Sequence, residues 1–311
     1  MKIAFVFPGQ GSQHVGMGKE IFDRFRTARE VFSMASDVLG YDVPNLIFNG
    51  PEDELNRTFR TQPCILTTSI AIYKVLLHMG IEPSVMAGHS LGEYSALAAS
   101  GVVLFEDMVR ITEKRGQFMQ EAVPEGKGLM AAIIGLEREK VDEICSVLKS
   151  GYASSANYNC PGQIVIAGEK NAVEEAIELC KAAGAKRAMP LSVSVPSHCR
   201  LMENASQRLA ELFDTTDFHP MSIPVVNNAD ALFLPDEVNA IKSSLVRQLS
   251  SPLLWEDSVK TINDCGIDTF IEVGPGKILS GLIKRIAPDV NVYHTGDLKS
   301  LDYMLSSVRN R

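Results

Sequence analysis

Residues 84–100 read Ser-Val-Met-Ala-Gly-His-Ser-Leu-Gly-Glu-Tyr-Ser-Ala-Leu-Ala-Ala-Ser, with Gly101 next. The run Ser84–Ala87 has strand length, and the small and apolar stretch Glu93–Ser100 predicts a helix, with Gly101 where a C-terminal stop falls. Between them lies Gly88-His89-Ser90-Leu91-Gly92, a G-x-S-x-G on a strand-to-helix turn. A nucleophilic serine needs its hydroxyl exposed on such a sharp turn, where the flanking backbones come too close for side chains at positions 88 and 92. The Leu91 N–H would then point at a developing oxyanion, aided by the positive end of the helix. An ordinary strand–helix turn can match five residues by chance. The strand before and the helix after favour the nucleophile.

The same alternation of strand-length apolar runs and helical patterns extends along the chain and predicts an α/β fold. Upstream, Lys2–Phe7 reads as a buried strand opening into Pro8-Gly9-Gln10-Gly11-Ser12-Gln13, followed by a helix at Thr61–Met79. Downstream, a helix starts near Glu106-Asp107, whose charges suit a helix N-terminus. From about Gly126 the rhythm changes to strand Leu129–Ile134, helix Arg138–Lys149, extended Gly151–Tyr158, strand Gln163–Gly168, helix Ala172–Ala183 and strand Lys186–Val193. That β-α-β-β-α-β order predicts a small ferredoxin-like domain, residues 126–193, inserted into a core made of 1–125 and 194–311. The rhythm then resumes with helix Leu201–Phe213, strand Pro224–Asn227, helices Asp236–Leu249 and Trp255–Cys265, and strand Thr269–Val273. Helix Ile278–Ile286 is expected to close the fold.

Composition bounds the function. With 311 residues, 45% of them hydrophobic, the chain suits a globular enzyme-sized core. Thirty Lys and Arg against thirty-eight Asp and Glu give a charge of -8, which offers no general attraction for nucleic acid or anionic membranes. The apolar start at Met1–Phe7 stops at Pro8, too short for a secretory signal, and no run approaches the ~20 residues of a membrane span. The six cysteines lack paired spacing, so neither a metal site nor a disulfide framework is expected. The expected compartment is the cytoplasm.

Six histidines compete to be the base for Ser90: His14, His78, His89, His198, His219 and His294. His78 ends an apolar helical run, His219 and His294 sit near element edges, and His89 diverges from its neighbour on a tight turn. His198, in Val195-Pro196-Ser197-His198 just before a helix, is placed where a helix N-terminus keeps the ring neutral. Spacing alone does not separate it from a structural histidine, and no Asp or Glu identifies itself as a third member. Arg115 falls within the apolar stripe of Met108, Ile111, Phe118 and Met119, while Arg110 and Lys114 point elsewhere. An inward arginine needs an anion, and its planar fork suits a carboxylate. A stem running to the surface or an internal ion pair would fit the pattern equally. The first loop fails both nucleotide patterns: His14 replaces the third glycine of a dinucleotide fingerprint, and Met17 replaces the lysine of a phosphate loop. It leaves Gln10 as a donor beside Ser90.

Together these segments resemble the malonyl-CoA:acyl carrier protein transacylase family. Phe7–Gln13, Gly88–Tyr94, Arg115-Gly116, Ala156–Asn159, Pro161-Gly162-Gln163, Val195–His198, Gln248–Pro252 and Val273–Gly276 occur in family order over nearly the whole chain. The resemblance implies an α/β-hydrolase-like core with a ferredoxin-like insertion, Ser90 as acylated nucleophile and His198 as base. It implies that main-chain carbonyls, one near Gln248, orient the histidine in place of a carboxylate. Gln10 and the Leu91 N–H would form the oxyanion hole, Arg115 would clamp the malonyl carboxylate, and Asn157 and Ser197 would contact substrate. No metal and no cofactor beyond the coenzyme A thioester is implied. The expected partners are malonyl-CoA and acyl carrier protein, and the expected state is a monomer. Because carrier proteins are acidic, Lys181, Lys186 and Arg187 or Lys277, Lys284 and Arg285 are candidate docking charges, or simply solvated ones. A hydrolase using the same turn, or a scaffold that only binds carrier protein, is the competing reading.

Overall fold

The computed structural model describes residues 2–191 and 195–309. Among these residues, nine strands form two sheets. The first strands in the chain are β1 (Ile3–Phe7) and β2 (Val85–Gly88), followed by β3 (Gly128–Ile134), β4 (Ala153–Cys160), β5 (Gln163–Glu169) and β6 (Arg187–Pro190). The last three are β7 (Val225–Val226), β8 (Thr269–Glu272) and β9 (Asn291–His294).

The larger sheet has the order β7-β2-β1-β8-β9 and is parallel throughout. Its inner strands are buried along their whole length, as the uninterrupted runs Ile-Ala-Phe-Val-Phe and Thr-Phe-Ile-Glu require for a sheet covered on both faces. The apolar side chains divide accordingly: Phe5, Phe7, Met86 and Ile271 join one core, while Ala4, Val6, Ala87 and Phe270 join another on the opposite face. From β1 the chain moves to β2 and then β7 on one side, and later returns to β8 and β9 on the other. The loops leaving β1 and β8 therefore diverge, opening a crevice beyond the carboxyl ends of the strands, where ligand sites form in such sheets.

The second sheet, β4-β5-β3-β6, is antiparallel. Its strands alternate. Ala131, Ile133, Ile164 and Ile166 pack on helices Arg138–Ser146 and Lys170–Ala182, whereas Met130, Val165 and Ala167 face the other way, toward Cys199. Strand β4 is tied to the larger unit by main-chain bonds: Tyr158 N–H donates to Leu253 O at 2.9 Å and Leu253 N–H to Ala156 O at 2.8 Å. Arg138 adds ion pairs to Glu256 (3.0 Å) and Asp257 (2.7 Å). Among the described residues, no helix is long and apolar enough to cross a membrane.

Several expected boundaries move. The fold does not close at Ile286: β9 and a helix at Leu298–Arg309 follow. Residues between the first loop and Thr58 hold four helices that the apolar pattern did not separate: Lys19–Arg24, Arg26–Leu39, Val43–Asn49 and Glu52–Leu55. The helix at Arg138 ends at Ser146 rather than Lys149, short of the Gly151 turn. The helix expected from Leu201 is a 3₁₀ turn, Arg200–Met202, running into an α-helix, Glu203–Asp214. The end of the expected strand at Val193 and the 193/194 boundary lie outside the described residues.

Candidate active site

The turn after β2 has the geometry its glycines require. A Cβ on Gly88 would run into the carbonyl of Gly92, and one on Gly92 into the carbonyl of Phe7. With both absent, helix Leu91–Ala99 starts directly after Ser90, which is held at φ 55° and ψ -105°. Positive φ is costly for a side-chain-bearing residue, about 1–3 kcal/mol, and persists where its surroundings impose it. Asn228 does so here: its Oδ1 accepts the Ser90 N–H at 2.7 Å and its Nδ2 donates to Gly88 O at 2.7 Å. Leu91, buried, supplies the first N–H of the helix.

His198 reaches the serine from the opposite side, Nε2 lying 2.8 Å from Ser90 Oγ. It too has positive φ, 60°. Its other ring nitrogen, Nδ1, donates to Gln248 O at 2.9 Å, and its backbone N–H donates to Leu249 O at 3.0 Å. Both acceptors belong to the last turn of helix Val238–Ser250, whose carbonyls have no intrahelical donor. The Nδ1 bond fixes the tautomer and leaves Nε2 free to take a proton. The partial negative charge of the same helix end favours the imidazolium that results. A carboxylate is thus replaced by a main-chain group. The ring is 1% exposed, and burial first, then the Arg115 charge, push its pKa down to about 3. The depression therefore comes from burial and Arg115, not from the helix terminus invoked on sequence grounds, since regular helix begins only at Glu203.

Arg115, also 1% exposed, neither reaches the surface nor pairs with a carboxylate among the described residues. Its Nη1 donates to Gln62 Oε1 at 2.9 Å; its Nη2 donates to Gln248 Oε1 at 3.1 Å and to Ser90 Oγ at 3.2 Å. The Tyr94 ring lies 4.9 Å from the guanidinium carbon. The adjoining Gly116 explains its seat: a Cβ there would come within 2.5 Å of Phe59 Cα, so glycine lets helix Phe105–Ala122 press onto the start of helix Thr58–His78. A buried cation held only by neutral acceptors is an anion site in waiting.

Gln10, Ser90, Arg115, Asn157, Ser197 and His198 line one cavity of about 310 Å³. Its outer wall is apolar, from Met130, Val165 and Leu191 on one side and Ile278, Leu279 and Leu282 on the other. Gln10 Nε2 bonds Thr58 Oγ1 at 3.3 Å, and Ser197 Oγ lies 3.6 Å from Met130 Sδ. Asn157 follows a register shift in β4, an irregularity that re-aims side chains. Leu91 and Gln248 stand behind this surface rather than on it. His89 is not a second base: its Nε2 bonds Asn159 Oδ1 at 2.9 Å, pinning the turn to β4.

A serine with a base, beside a buried cation in a confined cavity, can form and protect an acid-bearing ester. The match to the acyl transferase domain family covers residues 4–291.

The chain belongs to that family.

A malonyl CoA-acyl carrier protein transacylase from Haemophilus influenzae is 48% identical over 304 residues, covering 97% of each chain. An acyl carrier protein S-malonyltransferase from Vibrio cholerae has a crystal structure matching at TM-score 0.95 and 48% identity, over 98% of this chain and 100% of that one. A malonyl-transacylase solved in complex with a type II PKS acyl-carrier protein matches at TM-score 0.97 and 48% identity, over 99% and 100%. Against this acyl transferase's geometry, sequence reasoning missed three residues. Gln62 and Asn228 carried no signal, and Glu93 was visible only as part of the Gly88–Tyr94 segment. Glu93 is fully buried, its Oε2 accepting from Gln248 Nε2 (2.8 Å) and the Asn228 N–H (3.0 Å).

Proposed function

We infer that this acyltransferase moves the malonyl group of malonyl-CoA to the phosphopantetheine thiol of an acyl carrier protein, supplying extender units for fatty acid synthesis. The observation that carries the reading is a buried, carboxylate-free guanidinium in contact with the nucleophile of a serine–histidine pair.

In the first half-reaction His198 Nε2 takes the Ser90 proton as Oγ attacks the thioester carbonyl carbon. The oxyanion is held by the Leu91 N–H and the Gln10 amide. Its collapse breaks the carbon–sulfur bond, His198 returns the proton to the departing coenzyme A thiolate, and a malonyl-Ser90 ester remains. The carrier thiol then attacks that ester by the reverse route. Arg115 receives the free carboxylate and Asn157 and Ser197 bound the acyl group. The reaction calls for no cofactor beyond the thioester itself. The apolar outer wall limits water, which would otherwise take the acyl group.

Supporting the same reading, the parallel unit fits an α/β-hydrolase-like core made of 1–125 and 194–311, and the β3–β6 sheet a ferredoxin-like insertion at 126–193. The site residues all come from one chain, and the same reading has it work as a monomer in the cytoplasm. For carrier docking, Lys277, next in sequence to the cavity-lining Ile278, is better placed than Lys181, which pairs with Glu178, or Arg285, which bonds Gln163 and Pro161, and Lys284 lies further along the same helix. Lys186 precedes and Arg187 opens the edge strand β6.

The function is tested by following coenzyme A release from malonyl-CoA with and without pantetheinylated carrier protein. Rapid malonyl-carrier formation and slow release without the carrier are expected; equal release in both would make the protein a hydrolase. The pH profile supplies a second check. The active form of His198 is neutral and is lost as pH falls, and its depressed pKa places that loss below the ordinary value of 6.5. The acylation kcat/KM should therefore hold nearly level from pH 8 down through 6.5. A fall centred on 6.5 would mean that His198 is an ordinary, solvated imidazole.

A further inference from the structure

The side chain of Gln248 and the carboxylate of Glu93 have no part in the proton transfers, yet they connect the serine turn to Arg115. We propose that Glu93 is a positioning residue for acyl-group selectivity: it fixes the direction of the Gln248 amide, and through it the direction of the Arg115 guanidinium. This rests on the malonyl-transfer reading.

The amide of Gln248 faces two acceptors on one side, Glu93 Oε2 at 2.8 Å and Ser90 O at 3.0 Å. Ser90 O can only accept, and Glu93 Oε2 already accepts the Asn228 N–H, so the amide must present its NH₂ to them. Its carbonyl oxygen is then turned toward Arg115 Nη2, 3.1 Å away. Three of the four groups are buried, Glu93 at 0% exposed and Gln248 and Arg115 at 1% each, and Ser90 is partly buried. No solvent competes for the orientation. Burial raises the Glu93 pKa to about 7, so above that pH the carboxylate also places a negative charge near Arg115, at one remove. A direct Arg115–Glu93 ion pair would occupy the fork that an acid-bearing acyl group needs. The interposed amide holds Arg115 in place through a neutral acceptor, so no carboxylate already neutralises the guanidinium, and its Nε has no partner among the described residues.

The main chain of Gln248 serves His198 independently, through its carbonyl at 2.9 Å. Disturbing the side-chain relay therefore separates selectivity from catalysis. In Glu93→Gln a neutral amide oxygen replaces the carboxyl, so the Gln248 NH₂ is held at position 93 by a weaker, uncharged bond and the amide facing Arg115 is less firmly fixed. The side chain at 93 can still accept from the Asn228 N–H, so the serine turn is kept.

The test compares malonyl-CoA and acetyl-CoA as acyl donors for the wild type and Glu93→Gln, with kcat and KM resolved. The expected result is a malonyl kcat/KM lower by roughly 10- to 100-fold, the range for one hydrogen bond to a charged group, carried mainly by KM. Acetyl transfer, which brings no carboxylate for Arg115 to hold, should change by less than about threefold. Equal losses for both donors, or no loss for either, would overturn the inference. Glu93→Asp keeps the carboxyl but draws it back from the Gln248 amide, and should give the same malonyl-selective loss. It keeps the test decisive if Glu93→Gln does not fold, since equal losses there would also overturn it. A wild type that fails to load malonyl at all would instead refute the function proposed above.

Discussion

Replacing His198 by alanine should lower malonyl transfer by roughly 10²- to 10⁴-fold, the span of a positioned general base, with KM for malonyl-CoA little changed. The KM follows because the acyl group is held by Arg115, not by the imidazole. The loss is large because no other base stands in reach: His89, the nearest alternative in sequence, is committed to Asn159. The residual rate should rise with pH. Arg115 Nη2 donates to Ser90 Oγ at 3.2 Å, so its charge favours the alkoxide once hydroxide replaces the histidine. Single-turnover acylation from pH 7 to 10 reads both effects. A variant within tenfold of wild type, or one whose residual rate is flat with pH, would remove His198 from the role of base.

Arg115→Ala should invert selectivity. Its malonyl kcat/KM should fall by roughly 10²- to 10³-fold, as expected when one partner of a buried charge pair is removed. Acetyl transfer should hold or improve, because an uncharged chain no longer has to enter beside an unpaired buried cation. Loss of that charge also removes the second largest cause of the depressed His198 pKa, so the acid limb should move upward, toward 6.5. Stability is predicted to change less than for a buried apolar truncation, since a desolvated charge leaves along with the packing. Competition between the two donors, with discontinuous product analysis, measures the ratio. An unchanged ratio would end the role of Arg115 as carboxylate clamp.

The parts of this site that were legible in the sequence are those in which local sterics force a residue type. Gly88 and Gly92 frame Ser90 because neighbouring carbonyls occupy the space their side chains would need. Arg115 stood out because it interrupts an apolar stripe, although the stripe could not say what the guanidinium met. The histidine's partner was not legible as a residue type at all: a main-chain carbonyl at a helix end has no side-chain signature. Nor were the brackets that hold the turn. Asn228 lies 138 positions from Ser90 and Gln248 lies 155 from Glu93, and no local spacing records such meetings. The fold shows the same division. Strands buried on both faces declared themselves, whereas β9, a half-buried edge strand of four residues, offered no apolar run. Of the four helices between Lys19 and Leu55, three have only four to seven residues, too few for the period to be counted, whereas Arg26–Leu39 carries a readable apolar stripe, Ala28, Val31, Phe32 and Ala35, that sequence reasoning missed.

The most direct test of the central claim is mass spectrometry of the protein after brief exposure to malonyl-CoA without carrier protein. The account predicts a single malonyl adduct on the peptide containing Ser90, absent from Ser90→Ala and discharged by added pantetheinylated carrier protein. Transfer to the carrier with no adduct at any time, or an adduct on another residue that survives Ser90→Ala, would contradict it.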